Sequence, residues 1–345
     1  MKSVDLSIII VNWNSKDYLR KCIASILANT FDINYEIVVV DSGSFDGCGE
    51  MLQQLYPQVH FIQSECNVGF ACANNIGVSY ACGDVFLFLN PDTEVSEHAI
   101  KRLYFQHQEL HCAGVVGCRL LNSDGTLQIS CVQPFPTILN QILDAEILLR
   151  SFPKVKLWMS AATVEHLITP MPVEVVSGAC MMIDRKVFDQ VGEFSTDYFM
   201  YAEDIDLCYK IAAAGYTNYY IPEVSIVHYG GGSTQHTRSS FSNVMIRESV
   251  SRQLSKSRGN LYSLGYRLAL TGATVVRLIL LVLFFPAGLI NHRTPEWGVA
   301  FNKWLAILRW GLWLENWARK NAQSEEIVTN LNGGKENQCA ESVGN

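Results

Sequence analysis

Several motifs are missing from this sequence, and each absence argues against a class of protein. No G-x-G-x-x-G follows the first predicted strand and no G-K-[ST] occurs, so a dinucleotide oxidoreductase is unsupported and a P-loop nucleotidase is excluded. No serine has the G-x-S-x-G setting of an α/β-hydrolase. With 26 Lys and Arg against 33 Asp and Glu, the chain lacks the basic face of a nucleic-acid binder.

Cysteine is plentiful, but its spacing indicates neither zinc nor disulfides. The 11 cysteines form no C-x-x-C pair, and several, including Cys22 and Cys208, lie inside apolar patterns. Zinc sites and redox motifs are built from close cysteine pairs. Buried, reduced thiols are the simpler interpretation, and they are typical of a cytoplasmic protein.

The first 230 residues predict an α/β fold with a mostly parallel sheet. Short continuous apolar runs, typical of strands covered on both faces, alternate with helical patterns. The predicted strands are 6–11, 37–40, 59–62, 85–89, 114–118 and 173–176, and the predicted helices lie near 15–27, 69–81, 95–103 and 203–214. Ligands of such sheets bind beyond the carboxyl ends of the strands.

Two carboxylates directly follow predicted strands, where a ligand would bind. Asp41 begins the segment DSGSFDG and can accept hydrogen bonds from a base or ribose, although an Asx turn would explain it equally well. Asp92 follows the most apolar strand. It can hold Mg²⁺ or Mn²⁺ against a diphosphate leaving group, and the alternative is that Asp92 or Thr93 caps the next helix.

Three acids and one histidine are the remaining candidates for chemistry. Glu203, Asp204 and Asp206 lie in the first turn of a predicted helix, where negative charge suits the helix dipole without any catalytic role. The functional interpretation is that one of them accepts a proton from an acceptor hydroxyl. His228 ends a strand before a glycine run that permits close approach to a phosphate or metal, although a lone histidine is more often a core residue.

The last 110 residues predict helices associated with the cytoplasmic face of a membrane. Residues 268–290 are apolar except for Arg277, whose cost of roughly 2.5–3.5 kcal/mol at the centre of a span makes full spanning close to break-even. Residues 297–320 combine tryptophans with Lys and Arg, as helices at the headgroup boundary do. We expect a helix pair in or on the membrane face, with a full span or a buried hairpin as alternatives.

The chain is therefore predicted to contain three regions. A catalytic domain covers residues 1–240, a helical and membrane-associated segment covers 241–322, and a disordered polar tail covers 323–345.

Seven short motifs in order resemble the family 2 glycosyltransferases of GT-A fold, particularly the bacterial rhamnosyltransferase-like branch. The motifs are 7–14 (SIIIVNWN), 41–47 (DSGSFDG), 67–75 (NVGF with NN), 90–93 (NPDT), 177–179 (SGA), 203–216 (EDIDL with AGY) and His228 with its glycines. The resemblance implies an inverting enzyme of hexosyltransferase type that forms no covalent intermediate. It would move a sugar, rhamnose in this branch, from a nucleoside-diphosphate donor to a saccharide or lipid-linked acceptor.

The resemblance also assigns a role to each matched residue. The implied donor-binding residues, which hold the base, ribose, phosphates or sugar, are Val11, Asn12, Asp41, Asn67, Gly69 and Asn90. The implied metal ligands for Mg²⁺ or Mn²⁺ are Asp92 and His228, and the family's D-x-D reads Asn90-Pro91-Asp92 here, which gives His228 more weight. The implied general base is Asp204, with Glu203 and Asp206 positioning the site or acceptor and Gly178 and Ala179 shaping the acceptor pocket.

Two other functions are compatible with this fold. One is a catalytically inactive binding protein, since fold does not guarantee activity. The other is a sugar nucleotidyltransferase, but that chemistry usually needs a cationic glycine-rich loop after the first strand, and residues 12–15 contain no cation.

Overall fold

A nine-stranded sheet flanked by helices is followed by a group of packed helices in the computed structural model, which describes residues 4–143, 164–230, 240–290 and 294–321. The strands are β1 (Leu6–Asn12), β2 (Tyr35–Asp41), β3 (His60–Gln63), β4 (Val85–Leu89), β5 (Thr93–Val95), β6 (Ala113–Leu121), β7 (Val132–Gln133), β8 (Met171–Val173), β9 (Val175–Val176), β10 (Cys180–Asp184) and β11 (Thr217–His228). The helices are α1 (Lys16–Asn29), α2 (Cys48–Leu55), α3 (Phe70–Tyr80), α4 (Ala99–Glu109), α5 (Ile138–Ile142), α6 (Arg185–Gln190), α7 (Glu203–Ala213), α8 (Ser240–Arg258), α9 (Asn260–Ile290), α10 (Thr294–Gly311) and α11 (Trp317–Asn321).

The sheet confirms the predicted α/β class. Its order is β3-β2-β1-β4-β10-β6-β11-β5, with β8 beside β11, and β1 pairs in parallel with both β2 and β4. The apolar runs of β1, β2 and β4 are buried almost completely because helices cover both faces. The register places Asn12 opposite Asp41, so these two strands end at the same edge.

One strand near the centre of the sheet was not predicted. β10 runs antiparallel between β4 and β6, and its sequence CMMID is buried. Cysteine and methionine are not among the β-branched and aromatic residues that mark strands, so the pattern gave little signal. The pairing of Cys180 with Leu89 brings the segment 177–179 beside the end of β4.

The helix predicted from Val95 to Leu103 begins later than expected. Residues Thr93–Val95 form β5, which pairs antiparallel with β11 in a register that sets Thr93 opposite His228. Helix α4 starts at Ala99. The alternative in which Asp92 or Thr93 caps this helix is therefore wrong, because its N-cap residue is His98.

The helices after residue 240 have their own apolar core. Its buried residues are Val244, Met245, Val250, Leu254, Tyr266, Leu270, Ala306, Ile307, Trp310 and Ala318. Helix α8 begins at the predicted domain boundary, although the division into domains stays a prediction. The predicted tail, 323–345, lies entirely outside the described residues.

Arg277 does not stand alone on an apolar helix as the sequence suggested. Its guanidinium donates to the carbonyl of Ile142 and lies 4.4 Å from the ring of Trp304. Within the described part of the chain, one helix segment, Asn260–Phe284, is long and apolar enough to cross a membrane.

Candidate active site

Asn12 and Asp41 form a buried polar pair at the ends of β1 and β2. Nδ2 of Asn12 donates to Oδ1 of Asp41 at 2.7 Å. Burial raises the pKa of Asp41, but this effect is outweighed by hydrogen bonds from Ser44, Gln63, Asn12 and the amide of Phe45. The net shift of the pKa is therefore downward. The carboxylate is therefore ionised, and its Oδ2 accepts from the amides of Ser44 and Phe45 in the loop that follows β2.

A three-ligand group lies beside this pair, but its chemistry is poor for a metal. Ligand atoms of Asp41, Asp46 and Cys48 lie within 4.8 Å of one another. The oxygens of Asp41 already accept several protein hydrogen bonds, and burial raises the pKa of the Cys48 thiol, which disfavours the thiolate that would bind a metal. This group is therefore less suited to a metal ion than a site at the second carboxylate, Asp92, would be.

The loop between β3 and α3 packs closely against the loop between α6 and α7. Oδ1 of Asn67 accepts from the amide of Gly69 at 3.0 Å and from the hydroxyl of Ser42 at 3.2 Å. Gly69 has φ +82°, and a Cβ on it would lie 2.4 Å from the carbonyl oxygen of Phe199. Only glycine fits this contact.

Asp92 and His228 face each other because β5 and β11 pair. Nε2 of His228 lies 3.2 Å from Oδ1 of Asp92 and 3.3 Å from Nδ2 of Asn90. Two neighbouring octahedral ligands with bonds of about 2.1 Å are separated by about 3.0 Å, so this donor pair fits a divalent cation. Rotation of the Asn90 amide would bring a third ligand atom, its oxygen, to the same point.

Asp204 lies at the start of α7 with both carboxylate oxygens bound by main-chain amides. Oδ2 accepts from Gly178 at 3.0 Å, and Oδ1 accepts from Ile205 at 2.8 Å. Burial nevertheless raises the pKa of Asp204 above its usual value, because desolvation outweighs these bonds. A carboxylate made more basic in this way is suited to accepting a proton.

The other two acids of this helix turn face different surroundings. Burial, with the nearby charge of Asp204, raises the pKa of Glu203 to about 8, so this carboxyl holds a proton at neutral pH. Asp206 accepts from the hydroxyls of Ser195 at 2.6 Å and Tyr198 at 3.0 Å. Asp206 therefore supports the loop before α7, and Asp204 is the acid whose carboxylate contacts the Gly178 segment.

One short segment connects Asp204 to Asn90 and His228. The amide of Gly178 donates to Asp204, and the next residue, Ala179, accepts from the amide of Asn90 at 3.0 Å. Asn90 in turn contacts His228. A chain of direct contacts therefore joins Asp204 to His228, and the roles predicted for these residues stay predictions.

Two residues of this region had no assigned role in the sequence. Gln128, in a segment without a regular pattern, contacts the ring of His228. Asn75 exchanges two hydrogen bonds with the main chain of Phe194, at 2.8 and 3.2 Å. Both act across more than 90 residues of chain, so no local pattern could reveal them. The sequence signal for Asn75 was only its place in the NN motif.

Comparisons with known proteins agree with this geometry. The glycosyl transferase family 2 model matches residues 7–192, and the model of glycosyl transferase family group 2 matches residues 154–314. The low-salt glycan biosynthesis hexosyltransferase Agl10 of Haloferax volcanii is 30% identical over 60% of this chain, and the matched part spans 61% of that relative.

A bacterial relative and a solved structure extend the comparison. The N-acetylglucosaminyl-diphospho-decaprenol L-rhamnosyltransferase of Mycobacterium tuberculosis is 28% identical over 66% of this chain and 77% of its own length. The mannosyltransferase PcManGT from Pyrobaculum calidifontis, solved with GDP-Man and Mn²⁺, superposes with a TM-score of 0.54 at 17% identity, covering 94% of this chain and 89% of that one. The likeness to the solved structure shows the fold, which is GT-A. More than half of the sequence matches the family model, so this chain belongs to glycosyl transferase family 2 and is a glycosyltransferase similar to rhamnosyltransferases.

Proposed function

We propose that this enzyme transfers a sugar from a nucleoside-diphosphate donor to a saccharide or lipid-linked acceptor, with inversion at the anomeric carbon. The observation that carries the proposal is the connection from Asp204 through Gly178 and Ala179 to Asn90, which contacts His228. A proton acceptor and a pair of metal ligands on one edge can serve a single sugar carbon.

On the donor side, Val11, Asn12 and Asp41 would hold the base and ribose. Oδ1 of Asn12 is buried without a hydrogen-bond partner, so a donor group of the nucleotide would satisfy it. Asn67, Gly69 and Asn90 would lie along the phosphates and sugar.

Asp92 and His228 would hold Mg²⁺ or Mn²⁺. When bound, the cation neutralises charge that develops on the departing diphosphate. The donor set of one carboxylate and one imidazole suits Mn²⁺, and oxygen ligands from the diphosphate would suit either metal.

Asp204 would act as the general base. The acceptor oxygen forms a bond to the anomeric carbon, the bond from that carbon to the diphosphate oxygen breaks, and the acceptor proton passes to the Asp204 carboxylate. Attack opposite the leaving group inverts the anomeric centre. Gly178 and Ala179 would line the acceptor pocket.

The acceptor and the location of the enzyme are inferred from one relative and from the surface of the C-terminal helices. The mycobacterial relative is named for a sugar linked through diphosphate to decaprenol, which supports L-rhamnose as the donor sugar and a lipid-linked acceptor here. Exposed apolar residues on α9 and α10 support binding at the cytoplasmic face of a membrane.

The test screens nucleotide sugars for transfer and compares Asp204→Asn with the parent enzyme. Loss of the base should lower kcat by about 10²–10⁴-fold while nucleoside-diphosphate binding stays within a few fold. The matched control is Asp189→Asn, on the exposed side of α6, which should change neither quantity. Equal loss of turnover and binding in Asp204→Asn would remove its role as base.

Product analysis separates the alternatives. Release of nucleoside diphosphate and a product of inverted anomeric configuration by NMR supports the proposal. Release of pyrophosphate would indicate a nucleotidyltransferase. Nucleotide binding without turnover of any donor would indicate an inactive binding protein.

A further inference from the structure

The imidazole of His228 is held by one side chain that lies 100 residues earlier in the chain. Gln128 is almost completely buried, with 7% of its surface exposed. Its Nε2 donates to the main-chain carbonyl of His228 at 2.6 Å, and its Oε1 lies 2.9 Å from Nδ1 of the same residue. One amide group therefore contacts both the backbone and the ring of His228.

These two contacts determine which ring nitrogen faces Asp92. Nε2 of Gln128 is engaged by a carbonyl, which only accepts, so the amide oxygen is the atom that faces the ring. Because that oxygen also only accepts, Nδ1 carries the hydrogen, and Nε2 of the neutral imidazole carries the lone pair. Nε2 is the atom that lies 3.2 Å from Oδ1 of Asp92.

The position of Gln128 does not depend on its side chain. Its main-chain amide donates to the carbonyl of Leu120 at 2.9 Å, and its carbonyl accepts from the amide of Cys131. The adjacent turn is closed by Asn122 and Gly125. Substitution of the side chain therefore leaves the backbone anchored and changes mainly the support of the imidazole.

We propose that Gln128 is a positioning residue that selects the tautomer and orientation of His228 for binding a divalent cation through Nε2. This inference rests on the proposed function, in which Asp92 and His228 hold that cation. Partners that orient a ligating histidine change metal affinity by about 10–100-fold in other proteins. The same range is expected here.

The test measures Mn²⁺ affinity, by electron paramagnetic resonance of free Mn²⁺, with a saturating nucleoside diphosphate present. Gln128→Leu removes both contacts at similar volume and should weaken Mn²⁺ binding by about 10–100-fold. Gln128→Glu keeps an oxygen that accepts from Nδ1 but sets its second oxygen against the carbonyl of His228, so it should weaken Mn²⁺ binding less than Gln128→Leu does. The matched control is Gln253→Leu, another buried amide, in α8, which should leave Mn²⁺ affinity unchanged.

The outcomes separate this inference from the proposed function. Parental Mn²⁺ affinity in Gln128→Leu, or equal weakening in Gln128→Leu and Gln128→Glu, would overturn the positioning role. If His228→Ala also binds Mn²⁺ as the parent does, the metal assignment itself fails. Thermal melting verifies that each variant is folded, and Gln128→Met, with a more flexible side chain, replaces the leucine variant if that one does not fold.

Discussion

The sheet and the C-terminal helices distribute polar and apolar side chains in opposite ways. In the sheet, strands such as β1 and β2 bury their apolar residues, and polar side chains gather at the carboxyl edge. In the helices, the charged residues Glu248 and Arg267 are buried at 7% and 5% exposure. Leu261 and Leu283, in contrast, are 86% and 67% exposed.

This difference indicates what each surface is for. At the sheet edge, Oδ1 of Asn12 has no hydrogen-bond partner among the described residues, so it is available to a ligand. Within the helices, Glu248 accepts from the indole of Trp310 at 2.8 Å and lies 3.6 Å from Arg267. Those charges satisfy one another, while the outward apolar surface suits a lipid or another large apolar partner.

The two regions meet at the loop that precedes the proposed base. The hydroxyl of Ser249 in α8 donates to the carbonyl of Met200 at 2.9 Å, and Lys256 contacts Asp197 at 2.7 Å. Phe199 packs against the helical core. The helices therefore support one side of the loop between α6 and α7, which precedes Asp204.

Removal of the metal should have the largest effect, and only on the sheet edge. Chelation with EDTA should lower the transfer rate by about a thousandfold, equal to several kcal/mol of lost transition-state stabilisation, and Mn²⁺ or Mg²⁺ should restore it. The buried charges of the helices, Glu248 and Arg267, pair with each other and need no metal. The thermal unfolding midpoint of the helices should therefore not change on chelation. Undiminished transfer in excess chelator would contradict the metal assignment.

Loss of the buried charge should have the largest effect on the helices. Glu248→Gln leaves Arg267 buried without its carboxylate and should lower the free energy of unfolding by about 3 kcal/mol. Urea unfolding followed by tryptophan fluorescence reports on this region, because five of the seven tryptophans, Trp297, Trp304, Trp310, Trp313 and Trp317, lie there.

The matched control removes both charges of this pair. Glu248→Gln with Arg267→Met removes both charges but keeps an oxygen that accepts from Trp310, so it should be more stable than Glu248→Gln alone. A loss below about 1 kcal/mol in Glu248→Gln would mean that water screens the pair and that the contrast between the two regions is weaker than described.

The sequence was sufficient for features that depend on local pattern. Continuous Val, Ile and Leu runs predicted β1, β2 and β4, and each buried strand end predicted where a site would form. The antiparallel strand β10 was missed because its central residues are cysteine and methionine.

A local sequence pattern does not predict contacts between residues that are far apart in the chain. Gln128 reaches His228 across 100 residues, and Arg277 reaches the carbonyl of Ile142 across 135. The arginine was therefore interpreted as a cost to membrane insertion, whereas the fold gives it protein partners. Only the arrangement of strands and helices in space brings such side chains together.

The outer surface of the helices can be tested with one charge. Leu283→Glu, at a side chain 67% exposed on α9, should weaken binding to phosphatidylglycerol vesicles by about 10–100-fold, because it removes an apolar contact and adds a charge. The matched control is Leu55→Glu, at 54% exposure on α2, which should leave vesicle binding unchanged. Equal binding by all three proteins in a sedimentation assay would assign the membrane contact to neither surface.

The smallest effect concerns the contact between the loop that precedes α3 and the loop between α6 and α7. Gly69→Ala places a Cβ against the carbonyl of Phe199 at 2.4 Å and forces alanine to φ +82°. Gly192→Ala has nearly the same φ, +84°, but nothing lies within 4 Å of its Cβ, so it measures backbone strain alone. We expect Gly69→Ala to cost about 1–2 kcal/mol more than Gly192→Ala in thermal unfolding, and to weaken nucleotide binding as the loop shifts. Equal costs would mean that the two loops separate easily. The C-terminal helices, which pack against Phe199, would then not be coupled to the loop that contains Gly69.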